Sequence, residues 1–342
     1  MQRRKFLALA SVAALSLGLA ACDTETDAPA ADGAGDSGKT YIAVVSKGFQ
    51  HQFWQSVKQG AEKAAKEFDV EISFEGPDKE TNVQQQMDQL NNAMAKNPQA
   101  LALAALDSKA AEGVLQDAKA KNIPVIAFDS GVDSDVPLAT ASTDNKAAAA
   151  EAAKHMAELL GNKGEVGIIG HSQTATSGTD RRDGFVDYMK ENAPDIKIVD
   201  IQYADGDQAK STDAAKAMMT ANPNMAGMYG TNEGAAIGVV NAVKEMSKTG
   251  KLVIVGFDSG KAQMDAIKDG LMAGAVTQNP VGIGYETIKA AVAAIKGEKV
   301  EKVIDTGFYW YDKDNIADPD IAADRFCLIF SLPGRASSSD RL

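Results

Sequence analysis

The sequence predicts an α/β protein of two similar lobes, each a doubly wound, Rossmann-like parallel sheet. Three observations carry this. First, Phe128-Asp129-Ser130-Gly131 recurs as Phe257-Asp258-Ser259-Gly260, and each copy follows a β-branched apolar run, Ile123 to Ala127 and Leu252 to Gly256. Short apolar runs of this kind read as buried parallel strands. Second, Asn97-Pro98 before one apolar run matches Asn222-Pro223 before another, and Ile42 to Val45 matches Val166 to Ile169. The offset in all three pairs is about 125–130 residues, too long for a solenoid repeat and near the size of one lobe. Third, strand-like and helix-like patterns alternate along the chain, which implies parallel sheets with right-handed crossovers.

The elements follow in order. A strand at 41–46 leads into a helix beginning near Phe53, with Val57, Ala61, Ala64, Ala65 and Phe68 at helical spacing. A strand at 70–75, the turn Gly76-Pro77-Asp78, a helix from Thr81 to Ala95, a strand at 100–104, a helix at 108–121 and a strand at 123–128 complete the first lobe. The second lobe repeats the pattern: strand 165–170, helix 179–192, strand 196–202, helix 209–221, strand 225–229, helix 233–247 and strand 252–257. A helix at 261–269, a strand at 273–277, a helix at 281–296 and a strand-like stretch at 302–310 close the body. The repeated tetrapeptide sets an Asp at the carboxyl end of a strand in each lobe, where open α/β sheets bind ligands. Two such edges present Asp129 and Asp258 to one small polar molecule between them.

The 342 residues are 44% hydrophobic and carry a formal net charge of −12, enough apolar content for two cores. An acidic balance argues against a nucleic-acid partner, which needs a basic face. The three His (His51, His155, His171) and two Cys (Cys22, Cys327) lack metal-ligand spacing, so no metal and no cofactor is expected. Gly282-Ile283-Gly284 is followed by Thr287 where a dinucleotide loop needs a third Gly, and neither a Gly-Lys-Ser/Thr loop nor a Gly-x-Ser-x-Gly elbow occurs. The expectation is a binding protein, not an enzyme.

Residues 1–22, with a basic start, an apolar stretch and a small-residue exit, form an export signal. Leu19-Ala20-Ala21-Cys22 resembles a bacterial lipobox, which implies a lipid on Cys22. Arg3-Arg4-Lys5-Phe6-Leu7 looks like a twin-arginine motif, and general export fits the same residues. Residues 23–39 read as a flexible acidic tether and residues 324–342 as a poorly ordered tail.

Taken with the duplicated lobes, Phe53-Trp54, Phe128-Asp129, Thr179-Asp180-Arg181-Arg182-Asp183-Gly184-Phe185, Asn232-Glu233, Gly256-Phe257-Asp258 and Gln278 resemble the ribose/galactose-type sugar-binding proteins of bacterial ABC transporters, the type I periplasmic binding proteins. Their lobes are shared with repressors of the lactose type, but no helix-turn-helix precedes this body. The resemblance spans about Lys39 to Ala323. It implies a three-segment hinge near Ser142-Thr143-Asp144, Thr277-Gln278-Asn279 and Thr306-Gly307. The lobes are then 40–142 plus 280–307, and 143–279 plus 308–323. It also implies a monomer that is exported, lipid-anchored at the outer face of the cell membrane or periplasmic. Such a protein binds a monosaccharide (pentose, hexose, deoxy-sugar) or polyol and delivers it to a membrane permease whose ATPase drives import.

The resemblance assigns roles as well. Asp129 and Asp258 accept sugar hydroxyls, and Arg181, rather than its neighbour Arg182, donates to sugar oxygens. Asn232 and Gln278 each give and take a hydrogen bond. Phe53 and Trp54 stack on the sugar faces, and His51 stands where the family often has Asn. Ser130 replaces a second arginine and Gly206 an aromatic wall, so the cleft is expected to be roomier and less cationic than a ribose site. A sugar-derived signal of the autoinducer-2 type fits the same frame, as does presentation of the ligand to a chemoreceptor.

Overall fold

Short apolar runs pair side by side into two sheets, each covered by helices on both faces. The structure, a computed structural model, describes residues 38–318. The expected signal peptide with Cys22, most of the tether and the 324–342 tail lie outside the described residues. The first sheet takes β1 (Tyr41–Val45), β2 (Glu71–Glu75), β3 (Ala100–Leu103), β4 (Val125–Phe128) and β5 (Ala139–Ser142). Between them run α1 (Gln52–Glu67), α2 (Val83–Ala95) and α3 (Glu112–Ala120). After α4 (Asn145–Leu159) the second sheet takes β6 (Gly164–Gly170), β7 (Ile196–Tyr203), β8 (Met225–Gly230), β9 (Val253–Phe257) and β10 (Gly274–Gln278). Its crossovers are α5 (Thr176–Asn192), α6 (Gln208–Ala221), α7 (Glu233–Glu245) and α8 (Lys261–Lys268). Then α9 (Pro280–Ile295) returns to the first sheet, β11 (Val303–Asp305) lines its edge, and β12 (Phe308–Asp312) joins the second.

The two sheets have the same topology. Their orders are β11-β5-β4-β3-β1-β2 and β12-β10-β9-β8-β6-β7. Strand order reverses beside β1 and again beside β6, so each sheet has a switch point at its carboxyl edge, where α/β proteins hold ligands. The chain passes between the sheets after β5, after β10 and between β11 and β12. The Asp305 carboxylate ties the first and third of these passages together: its Oδ1 accepts from the backbone N–H of Asp144 at 3.3 Å and of Gly307 at 3.0 Å.

Each sheet face buries its own apolar cluster. On the first sheet, α1 and α9 cover Ile42, Val44 and Ile126, while α2 and α3 cover Val45, Leu101 and Val125. On the second, α4 and α5 cover Val166, Ile168 and Val255, while α6, α7 and α8 cover Ile169, Met228 and Ile254. Side-chain caps start α2, α4, α6, α7 and α9 (Asn82, Asp144, Asp207, Asn232 and Asn279), each worth about 1 kcal/mol.

Four features depart from the sequence reading. Strand β5 and helix α4 were not foreseen. Strand β5 is the short, polar Ala139-Thr140-Ala141-Ser142, and α4 is so rich in alanine that its buried stripe barely contrasts with its outer face. The strand-like 302–310 stretch is two strands in two different sheets, separated at Gly307, whose φ of +80° breaks the extended chain. The second of these, β12, runs antiparallel to β10, so the second sheet is not wholly parallel.

Helices α1 and α9 cross with their backbones nearly touching. A Cβ at Gly60 would collide with the Val281 carbonyl oxygen, and one at Gly284 with that of Val57. We therefore expect Gly284→Ala to destabilise the protein by about 2 kcal/mol in urea unfolding, because overpacking outweighs the helix-propensity gain. Gly113→Ala, on an open face of α3 with nothing within 4 Å, should stabilise it by roughly 0.5–1 kcal/mol.

Candidate functional site

The facing carboxyl ends of the two sheets enclose one small polar cavity. It is lined by Lys47, His51, Phe53, Trp54, Glu80, Asp129, His171, Arg181, Asn232, Asp258 and Gln278. All eight residues singled out in the body of the sequence are therefore brought together; Cys22 lies outside the described residues. The void out to its walls and mouth is about 270 Å³.

The two aspartates occupy equivalent positions and the same unusual backbone. Asp129 follows β4 with φ +56°, and Asp258 follows β9 with φ +77°. A non-glycine residue in this region carries strain, and the surroundings must hold it there. At Asp129 the N–H donates to the Ala141 carbonyl at 2.9 Å. At Asp258 the N–H donates to the Val276 carbonyl at 2.7 Å, and the Tyr311 hydroxyl donates to its carbonyl at 2.7 Å.

Each carboxylate is buried and partnered. Asp258 Oδ1 accepts from Gln278 Nε2 at 2.6 Å, Oδ2 accepts from the Glu233 backbone N–H at 2.9 Å, and Arg181 Nη1 lies 4.0 Å from Oδ2. Gln278 Oε1 is buried without a partner, so an acceptor stands ready beside this aspartate. Asp129 Oδ2 pairs with Lys47 Nζ at 2.9 Å.

Arg181 is fixed on three sides. Its Nε donates to Asn145 Oδ1 at 2.7 Å, its Nη1 donates to the Thr231 carbonyl at 3.1 Å, and its guanidinium carbon sits 3.8 Å from the centre of the Phe257 ring. Arg182 instead pairs with Asp183 and Tyr203 away from the cavity, so the geometry separates the two neighbouring arginines. Asn232 does double service: its Oδ1 caps α7 by accepting from Ala235 N–H, while its side chain lines the cavity. Phe53 and Trp54 pack edge-to-face with ring centres 4.8 Å apart, and both are almost fully buried. They belong at once to the core and to the cavity wall. His51 precedes α1 and reaches within 3.9 Å of Glu80 Oε1.

Sequence reasoning missed Lys47, Glu80 and His171. Lys47 lies two residues past the end of β1, close to a strand's carboxyl end as the aspartates are, and this was the available signal. Its Nζ also donates to Ser130 Oγ and Ser177 Oγ, both at 3.1 Å. His171 holds the corresponding place after β6. Burial, and then the charges of Arg181, Lys47 and His51, hold its imidazole well below the usual pKa, so it is neutral beside Thr231 and Ser177. Glu80 accepts from the Trp54 indole N–H at 2.8 Å, and nothing in its turn sequence distinguishes it from a surface glutamate.

The expected weakly cationic cleft is thus corrected. Lys47 supplies a second cation beside Ser130, where the arginine was missing. Glu80 and His51 approach the bare face of Gly206, where a Cβ would lie 2.9 Å from Asn232 Nδ2 and 3.3 Å from Glu80 Oε2.

Hydrogen bonds cross between the lobes on both flanks of the cavity. On one side Ser130 and Ser177 hydroxyls lie 2.7 Å apart, and Gly131 N–H donates to Thr176 Oγ1 at 2.8 Å. On the other, Lys261 N–H donates to Gln52 Oε1 at 2.8 Å. The structure is therefore of a closed cleft.

Such a fold and such a cavity define a two-lobed binding protein. A profile of the periplasmic binding protein domain matches residues 42–299, and the chain belongs to that family. It is 34% identical over 266 residues to the D-allose-binding periplasmic protein of Escherichia coli, covering 75% of this chain and 85% of that one. Among solved structures it resembles a carbohydrate transporter solute-binding protein of Agrobacterium radiobacter in complex with D-arabinose. That match has TM-score 0.81 and 35% identity, over 84% of this chain and 99% of the other. An Agrobacterium vitis ABC transporter solute-binding protein with bound D-fucose matches at TM-score 0.80 and 33% identity, over 83% and 99%.

Removing Lys47 alone should leave Asp129 as a buried charge without its cation. Lys47→Met is expected to cost about 3 kcal/mol of stability in chemical denaturation, and Lys47→Met with Asp129→Asn to recover most of it.

Proposed function

We propose that this protein is the extracytoplasmic solute-binding subunit of an ABC importer and that it closes on one monosaccharide. The observation that carries this reading is the pair Asp129 and Asp258. One comes from each sheet, at matching post-strand positions, and both face a cavity with an aromatic wall. A neutral sugar offers hydroxyls around a ring with apolar faces. Carboxylates accept hydroxyls, Arg181 donates to oxygens while Lys47 balances the charge of Asp129, Asn232 and Gln278 do both, and Phe53 and Trp54 meet the ring. His51 and Glu80 read the hydroxyls at the Gly206 end. The names of the relatives support a monosaccharide, with D-allose, D-arabinose and D-fucose favouring an aldose and the α-D-tagatopyranose of another solute-binding protein leaving a ketose as the competing class.

Neither lobe alone makes the full set of contacts, so ligand binding and closure are one equilibrium. Lobes 40–142 plus 280–307, and 143–279 plus 308–323, then move about the passages at Ser142-Thr143-Asp144, Thr277-Gln278-Asn279 and Thr306-Gly307, the hinge mode of closure. The closed form delivers its cargo to a membrane permease. The exported chain is held at the outer face of the membrane through a lipid on Cys22, with residues 23–39 as its tether.

The test is calorimetric titration of ligand-stripped protein with D-allose, D-ribose, D-arabinose, D-fucose, D-galactose and D-glucose. One sugar should bind at micromolar affinity or tighter. Asp129→Ala and Asp258→Ala should each weaken it by at least ten- to a hundredfold, since each hydrogen bond to a charged group contributes about 1.5–3 kcal/mol. Folded protein that gives no heat with any of them would overturn the aldose reading.

A further inference from the structure

Behind the cavity wall lies a carboxyl group that the sugar site does not use. Glu233 opens α7 in the second lobe and is only 8% exposed. Its carboxyl accepts a hydrogen bond from the backbone N–H of Gln52, at the start of α1 in the first lobe. Its other oxygen, Oε2, is buried and has no partner. The carboxyl is packed against Gly260, the residue ahead of α8, where a Cβ would fall 2.5 Å from the Glu233 carboxyl carbon. Glu233 is thus clamped between the two lobes, beside the Lys261–Gln52 hydrogen bond that joins them.

Its electrostatic surroundings are largely acidic. From its own lobe, Asp258 faces it after β9, with Arg181 of α5 on the far side of Asp258, and Lys261 opens α8 with its amine paired to Asp265. From the first lobe come Glu80, in the β2–α2 loop, and His51, ahead of α1 and close to Gly234. An ionised Glu233 would set a third carboxylate beside Asp258 and Glu80 with one oxygen unsatisfied. A protonated Glu233 removes that charge and still accepts from Gln52.

We propose that Glu233 is a proton-binding site coupled to lobe closure: closing over the cargo takes up one proton at this carboxyl, so the protein holds its cargo more tightly in acid than in alkali. The proposal rests on the reading that closure traps a ligand. Burial first, then the charges of Asp258 and Glu80, push the closed-state carboxyl up to about 8. When the lobes part, Gln52 and Glu80 leave with the first lobe, water reaches the carboxyl, and it returns toward the ordinary glutamate range near 4.3. Between those values the closed form binds more protons than the open one. Affinity therefore falls as pH rises through that window, by at most about tenfold per unit, and levels off above about 8.

Two measurements decide it. Carboxyl carbon NMR of glutamate-labelled protein, with Glu233→Gln to identify the signal, follows the group itself with and without sugar. Calorimetry with D-allose at pH 6.5 and 8.5, in buffers of different ionisation heat, counts protons. The expected results are a Glu233 signal titrating well above the other glutamates in sugar-saturated protein, and proton uptake approaching one per sugar at pH 6.5. D-allose binding should be at least tenfold weaker at pH 8.5, whereas Glu233→Gln binds without proton uptake and with little pH dependence. Glu233 titrating among ordinary glutamates in every sample, or wild type and Glu233→Gln sharing one pH profile, would overturn the proposal. Absence of heat from every aldose counts against the sugar reading; protein locked shut by a disulfide from Ser130→Cys and Ser177→Cys, whose hydroxyls lie 2.7 Å apart across the lobes, then decides the proton site by the same NMR titration.

Discussion

Asp129 and Asp258 are nearly fully buried, and taking a carboxylate out of water is affordable only when partners replace the water. The rest of the cavity follows from that constraint. Lys47 and Ser130 serve the first aspartate, and Gln278, Arg181 and a helix-start N–H serve the second. Several partners are in turn locked by groups with no direct view of the cavity, such as Asn145 on Arg181 and Tyr311 on the Asp258 carbonyl. The cleft is preorganised, so a ligand need not bear the whole cost of ordering these side chains.

The same constraint explains why the backbone is strained at both aspartates. A strand that continued straight would carry each carboxylate past the edge of its sheet. The left-handed turn at Asp129 and Asp258 instead accompanies the placing of both residues in the cavity wall. Its repetition in the two lobes is the structural trace of the duplicated Phe-Asp-Ser-Gly sequence. The lobes have since diverged around it. The cation beside Asp129 comes from the loop after β1, whereas that near Asp258 comes from a crossover helix.

Much of this was legible in the sequence because the central strands are buried on both faces and bounded by turns. That pattern exposed the parallel sheets, and the repeated tetrapeptide exposed the paired aspartates. Strand β5 and helix α4 were not legible, since a small polar strand and an alanine-rich helix lack the contrast that periodicity needs. Antiparallel β12 was hidden for a different reason: pairing direction depends on where the chain re-enters a sheet, and a local stretch does not encode it. Lys47, Glu80, His171 and Glu233 are ordinary polar residues in the sequence. They become unusual only when the lobes meet, as a buried cation, a buried indole acceptor, a neutral imidazole and a carboxyl with an unpartnered oxygen.

The central claim is that a ligand and the closed cleft stabilise one another. Small-angle X-ray scattering of the ligand-stripped protein, before and after saturation with the sugar it binds, tests this most directly. A smaller radius of gyration with sugar, approaching the scattering calculated for the closed arrangement, is the predicted result. Superimposable curves with and without saturating sugar would contradict the account.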